Sequence, residues 1–131
     1  MKPVLVDTSV WIKYFRQKDT TEGKLLREFI TNEGIYTTGV VIVELITGAR
    51  DLKEQHILRD LLSPVPFLRV SEPVWWEAGE YRYAMRRKGF AASLPDVVIA
   101  TVAIYYDVEL FSLDRHFLEI AKFIPLRLFL P

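Results

Sequence analysis

Apolar residues along this chain fall in short runs, and their spacing alternates between the two periods that mark strands and helices. The triplet Val4-Leu5-Val6 is expected as a buried strand. Residues 9–17 follow with Val10, Trp11, Tyr14 and Phe15 on one helical stripe. A second helix is expected over residues 21–32, where Leu25, Leu26, Phe29 and Ile30 recur at matching spacing and Gly34 stands as its terminator. Residues 35–37 suit a second strand. Residues 39–49 read two ways: the β-branched run Val40-Val41-Ile42-Val43 favours a strand, whereas Glu44-Leu45-Ile46 before Gly48 fits the end of a helix. Further on, residues 52–62 suit a helix capped by Asp51 and stopped by Pro64, and residues 67–70 a strand. Residues 73–88 suit a helix with proline in its first turn and Gly89 after its end. Pro95 opens a helix that is apolar nearly all round over residues 97–106, as interior helices are. A strand over 109–112, a short helix over 115–122 and a last strand over 126–130 complete the pattern.

Strands alternating with helices imply an α/β fold, a central parallel sheet of about four to five strands covered on both faces. No repeat, low-complexity tract or polar linker interrupts the pattern, so residues 1–131 are expected to form a single domain.

Four acids interrupt this apolar pattern. Asp7 ends Val-Leu-Val, Glu44 lies within Val-Ile-Val-Glu-Leu-Ile, Asp96 opens Asp-Val-Val-Ile-Ala, and Asp114 follows Leu-Phe-Ser-Leu. An ionised carboxylate costs several kcal/mol or more to bury unless it is paired, neutralised or bound to a cation. In open parallel α/β sheets, ligands bind beyond the carboxyl ends of the strands. Asp7 and Asp114 follow two expected strands, and Asp96 lies in the first turn of the interior helix, where the dipole favours an anion. The topology permits the four to converge. An all-oxygen donor set would suit Mg²⁺ or Mn²⁺ and, with it, attack of water on a phosphodiester. Each acid also has an ordinary structural reading: Asp7 as a helix N-cap, Glu44 on an exposed helix face, Asp96 as a first-turn acid, Asp114 as a turn residue.

Composition narrows the partners. The 131 residues carry a formal net charge of zero, so attraction to a polyanion would need a local patch. Arg82, Arg86, Arg87 and Lys88 are the candidate patch for nucleic-acid phosphates, though a solvated helix end explains each of them singly. The chain has no cysteine, which excludes a disulfide framework and thiolate metal sites. No leader and no apolar run near the roughly twenty residues of a membrane span is evident, and a soluble, cytoplasmic protein is expected. Trp75, Trp76, Tyr81 and Tyr83 are expected in the core or at an interface.

The segments Asp7-Thr8-Ser9-Val10-Trp11-Ile12, Val43-Glu44-Leu45-Ile46-Thr47-Gly48-Ala49, Leu94-Pro95-Asp96-Val97-Val98-Ile99-Ala100 and Ser112-Leu113-Asp114-Arg115-His116-Phe117 resemble, in order, the motifs of PIN-domain ribonucleases. Length and motif spacing are similar to those of the VapC toxins of toxin–antitoxin pairs. The resemblance spans essentially the whole chain. It implies a PIN-like, Rossmann-like three-layer α/β/α fold and Mg²⁺- or Mn²⁺-dependent endoribonuclease activity, often on a tRNA or rRNA loop. It implies that Asp7 and Asp96 are direct metal ligands, that Glu44 and Asp114 bind metal directly or through water, and that Thr8, Ser9 and Ser112 support them. It places Glu44 on a helix. It also implies an antitoxin partner, docking in a groove of the early helices, and a homodimer. Many relatives carry a further acid shortly after the fourth, where this chain has Arg115 and His116; His116 is expected as a surface or helix-start residue. Two other classes fit less well. Phosphatases with an aspartyl nucleophile need a second acid where Ser9 stands, and receiver modules need paired acids near the first strand and a lysine after a late one. A non-catalytic PIN-like binding module is the remaining alternative.

Overall fold

The computed structural model describes residues 2–17 and 19–131. Among these, β1 (Val4–Val6), α1 (Thr8–Arg16), α2 (Thr21–Thr31), β2 (Ile35–Tyr36), α3 (Gly39–Thr47), α4 (Leu52–Leu62), α5 (Glu72–Arg87), α6 (Leu94–Tyr105), β3 (Glu109–Phe111) and α7 (His116–Ile120) follow in order. The sheet is parallel, ordered β2-β1-β3, with Val4 opposite Ile35 on one side and Val6 opposite Phe111 on the other. All three residues of β1 are buried, as a central parallel strand covered on both faces requires.

The expected outer strands are reduced to single bridges. Thr37 pairs with Phe67 and Leu110 with Leu128, so the regular sheet has three strands among the described residues rather than four to five. Pro66 and Pro125 stand just before these segments and have no N–H to donate, which limits how far either edge can extend a ladder. Residues 39–47 are helical throughout. Val41 and Leu45 are buried one helical turn apart, and burial of this face overrides the β-branched propensity of residues 40–43. At the end of α2 it is Glu33, not Gly34, that takes the left-handed conformation (φ 54°). Gly34 is instead pressed against Phe29, whose ring would lie 3.3 Å from an added Cβ.

The core is continuous from the sheet into α6, where every residue from Val97 to Ala103 is buried. Trp11 and Val10 are fully buried, but Trp75, Trp76 and Tyr83 are more than half exposed, so the core reading fails for these three. No helix among the described residues is long and apolar enough to cross a membrane. Because the strands run parallel, their carboxyl ends share one edge, and Asp7, Thr37 and Ser112 leave the sheet there.

Candidate metal and active site

The residue after β1 is Asp7, which is 4% exposed. Its N–H continues the ladder to the Phe111 carbonyl at 2.9 Å, and its carboxylate caps α1 by accepting from the Ser9 N–H. The N-cap reading and the site reading therefore apply to the same side chain. Oδ2 also accepts from the Ser9 and Ser112 hydroxyls, each at 2.7 Å. Both serines are relays. Ser9 Oγ accepts from the Leu113 N–H at 2.9 Å and Ser112 Oγ from the Asp114 N–H at 3.0 Å. Three donors on one oxygen make a buried carboxylate tolerable, and they bind the loop after β3 to the acid after β1.

Asp96 occupies the first turn of α6, below the N-cap Ser93, whose Oγ accepts from the Asp96 N–H at 3.3 Å. Its side chain is 18% exposed. Burial pushes its carboxyl above the ordinary range; the charges of Asp114 and Asp7 push the same way, while Ser93 and His116 oppose them. Asp96 thus lies in the field of two of the other three acids. One ligand atom each from Asp96, Asp114 and His116 lies within 4.8 Å of the other two, and Asp7 and Glu44 stand outside this tight group.

Glu44 projects from α3 and accepts from the Thr8 hydroxyl through Oε1 at 2.7 Å. Thr8, beside Asp7, links α3 to the head of α1. Thr8, Ser9 and Ser112 each donate a hydroxyl hydrogen bond to one of the four acids.

His116 is the surface and helix-start residue expected, but its nearness to the acids was not anticipated. It is both exposed (74%) and the first residue of α7, yet its Nδ1 lies 3.1 Å from Asp114 Oδ1 and 3.9 Å from Asp96 Oδ2. Its own N–H is accepted by Asp114 Oδ1 at 2.9 Å. The spacing Asp-x-His at a helix start was the available signal, because a turn of that kind folds the side chain at i+2 back towards the acid.

The basic cluster divides. Arg82 is half-buried and donates through Nε to the Ala92 carbonyl at 3.1 Å, holding the loop that leads into α6. Arg86, Arg87 and Lys88 are exposed at the end of α5. Arg82 and Arg86 line a concavity of about 290 Å³ with Trp75, Leu94 and Val98, which places it against the start of α6.

The donor set suits a hard divalent cation. It offers carboxylate oxygens at the edge of a parallel sheet, with Asp96 held above its usual pKa first by burial and then by the charges of Asp114 and Asp7, the latter a repulsion that a cation would relieve. The fold is an α/β domain with an acidic cluster at the carboxyl edge of its parallel sheet, and the PIN domain profile matches residues 4–123. The chain belongs to the PIN domain family. Ribonuclease VapC11 of Mycobacterium tuberculosis is 29% identical over 123 residues, covering 91% of this chain and 92% of that protein. Among solved structures, VapBC2 of Rickettsia felis bound to a promoter DNA fragment is 21% identical with a TM-score of 0.82, covering 96% of each chain. VapC20 of Mycobacterium tuberculosis, described as a sarcin-ricin loop cleaving toxin, is 18% identical with a TM-score of 0.65, covering 95% of this chain and 98% of that one.

Proposed function

We propose that this chain is a divalent-metal-dependent endoribonuclease acting as the toxin of a cytoplasmic toxin–antitoxin pair. The observation that carries the reading is a PIN fold that brings ligand atoms of Asp96 and Asp114 within 4.8 Å of each other and ties Asp7 to Asp114 through the Ser112 hydroxyl. Support for RNA as substrate comes from the named ribonuclease relatives, and support for an antitoxin comes from the toxin–antitoxin complex among the structural neighbours.

Asp7, Asp96 and Asp114 would hold Mg²⁺ or Mn²⁺, with Glu44 reaching it directly or through water. When bound, the metal supplies an activated water and neutralises charge on the phosphodiester. The protein's own part is positioning. Ser9 and Ser112 fix Asp7, Ser93 and the helix dipole fix Asp96, and Thr8 fixes Glu44. Arg86, Arg87 and Lys88 hold RNA phosphates beside the acids, and the exposed apolar surface around Val43, Trp75, Trp76 and Tyr83 serves a homodimer.

The test incubates purified protein with total RNA, with and without Mg²⁺ or Mn²⁺, beside Asp7→Asn and Asp96→Asn. Specific cleavage that needs metal and both acids is expected. Cleavage that persists under chelation, or in both variants, sinks the proposed site. Expression without a partner should arrest growth, and co-expression of the small frame expected beside the gene should relieve it.

A further inference from the structure

We infer that His116 is itself a metal ligand, completing an Asp96–Asp114–His116 face that favours a first-row transition ion, Mn²⁺, over Mg²⁺. The inference rests on reading the acid cluster as a metal site, and it deepens that reading by naming a donor outside the acids.

The distances carry it. Ligand atoms about 2.1 Å from an octahedral ion lie about 3.0 Å apart when adjacent and about 4.2 Å apart when opposite. His116 Nδ1 is 3.1 Å from Asp114 Oδ1, close to the adjacent value, and 3.9 Å from Asp96 Oδ2, between the two values, so a small shift of the exposed ring brings both partners onto one ion. The tight group is not acids alone, because one of its three ligand atoms is an imidazole nitrogen.

The backbone holds this arrangement. The Asp114 carboxylate accepts from the His116 N–H, fixing the ring beside the acid, and Ser112 holds Asp114's own N–H. Phe117, the next residue, is buried in the core and anchors the short helix that carries the ring.

Chemistry decides the ion. Mg²⁺ prefers oxygen donors and gives up its waters reluctantly, whereas imidazole suits transition ions. Exchanging one carboxylate for an imidazole also removes a negative charge, which weakens the site most for an ion held chiefly by charge.

The experiment reads binding, without RNA. Mn²⁺ and Mg²⁺ are titrated by calorimetry into metal-free wild type, His116→Ala, His116→Asp and Asp96→Asn, and the Mn²⁺ forms are examined by pulsed electron paramagnetic resonance for nitrogen coupling. His56→Ala is the control, because His56 sits on α4 and lines a different cavity. Wild type and His56→Ala should show nitrogen coupling that His116→Ala lacks. The preference for Mn²⁺ should fall about tenfold in His116→Ala, and His116→Asp should bind Mg²⁺ better than wild type does. Tight Mn²⁺ binding without nitrogen coupling, with the preference unchanged in His116→Ala, overturns the ligand assignment and leaves the nuclease reading standing. If wild type binds neither ion, or Asp96→Asn binds both as well as wild type, both readings fall.

Discussion

Ser112 and Asp7, separated by 105 positions, meet side chain to side chain, the serine hydroxyl donating to Asp7 Oδ2 at 2.7 Å. The meeting follows from sheet register. Val6 pairs with Phe111, so the residues that leave β1 and β3 emerge side by side. Because Ser112 Oγ also accepts from the Asp114 N–H, the first and fourth acids are joined through one hydroxyl.

Ser112→Ala should therefore harm two acids at once. Asp7 loses one of its donors and the Asp114 N–H loses its acceptor, which together should cost about 1–3 kcal/mol in urea unfolding. Metal-dependent cleavage should fall about 10- to 100-fold, as is usual for groups that orient metal ligands. Ser112→Thr keeps the hydroxyl and should recover most of both. A variant with wild-type stability and activity would show the relay to be incidental.

Thr8 and Glu44 make a narrower test. Thr8→Val keeps the shape and removes the 2.7 Å hydrogen bond to Glu44 Oε1. With Glu44 half-buried, stability should drop by about 1 kcal/mol or less, while kcat falls about tenfold. Thr8→Ser should restore the rate. An unchanged kcat would mean that α3 alone places Glu44.

The positions of the four acids were legible because each interrupts an apolar run; burial of those runs leaves Asp7 buried and Glu44, Asp96 and Asp114 half-buried. The order of strands and helices was legible for the same reason. Residues 40–43 were not, since β-branched propensity is weak against the packing of Val41 and Leu45 in the core. The segments at 67–70 and 126–130 keep only one bridge each, at Phe67 and Leu128, beside prolines. His116 is the surface, helix-start residue expected of it, and its approach to Asp114 and Asp96 was not legible because a rule that looks for misplaced buried acids is blind to an exposed imidazole. Arg82 looked like a member of a basic run, and only the turn after α5 brings the Ala92 carbonyl to its Nε.

Asp96→Asn should stabilise the metal-free fold while abolishing cleavage. The Asp96 pKa is raised, first by burial and then by Asp114 and Asp7, so its charged form destabilises the native state. Stability linked to this group is fully present below the ordinary Asp value of about 3.8 and is lost as pH rises through the raised one. The variant's advantage, about 0.5–2 kcal/mol near neutrality, should therefore vanish in acid. Thermal unfolding of both proteins across pH measures this, and an advantage independent of pH would rule out relief of charge as its cause. Added Mn²⁺ should raise the Tm of wild type and not of the variant.

Arg86 and Arg87 lie in the last turn of α5, exposed, where they complement the helix dipole at small benefit to the fold. If they hold RNA phosphates, Arg86→Gln with Arg87→Gln should leave stability within about 0.5 kcal/mol of wild type. RNA binding by a catalytically silent Asp7→Asn background should weaken, and the dependence of log affinity on log salt should flatten by about 0.7 for each phosphate no longer neutralised. Arg82→Gln should behave differently. Its Nε holds the Ala92 carbonyl, so stability should fall by about 1 kcal/mol and the loop into α6 should loosen. An unchanged salt slope in the double variant would place the RNA path on another face of the acids.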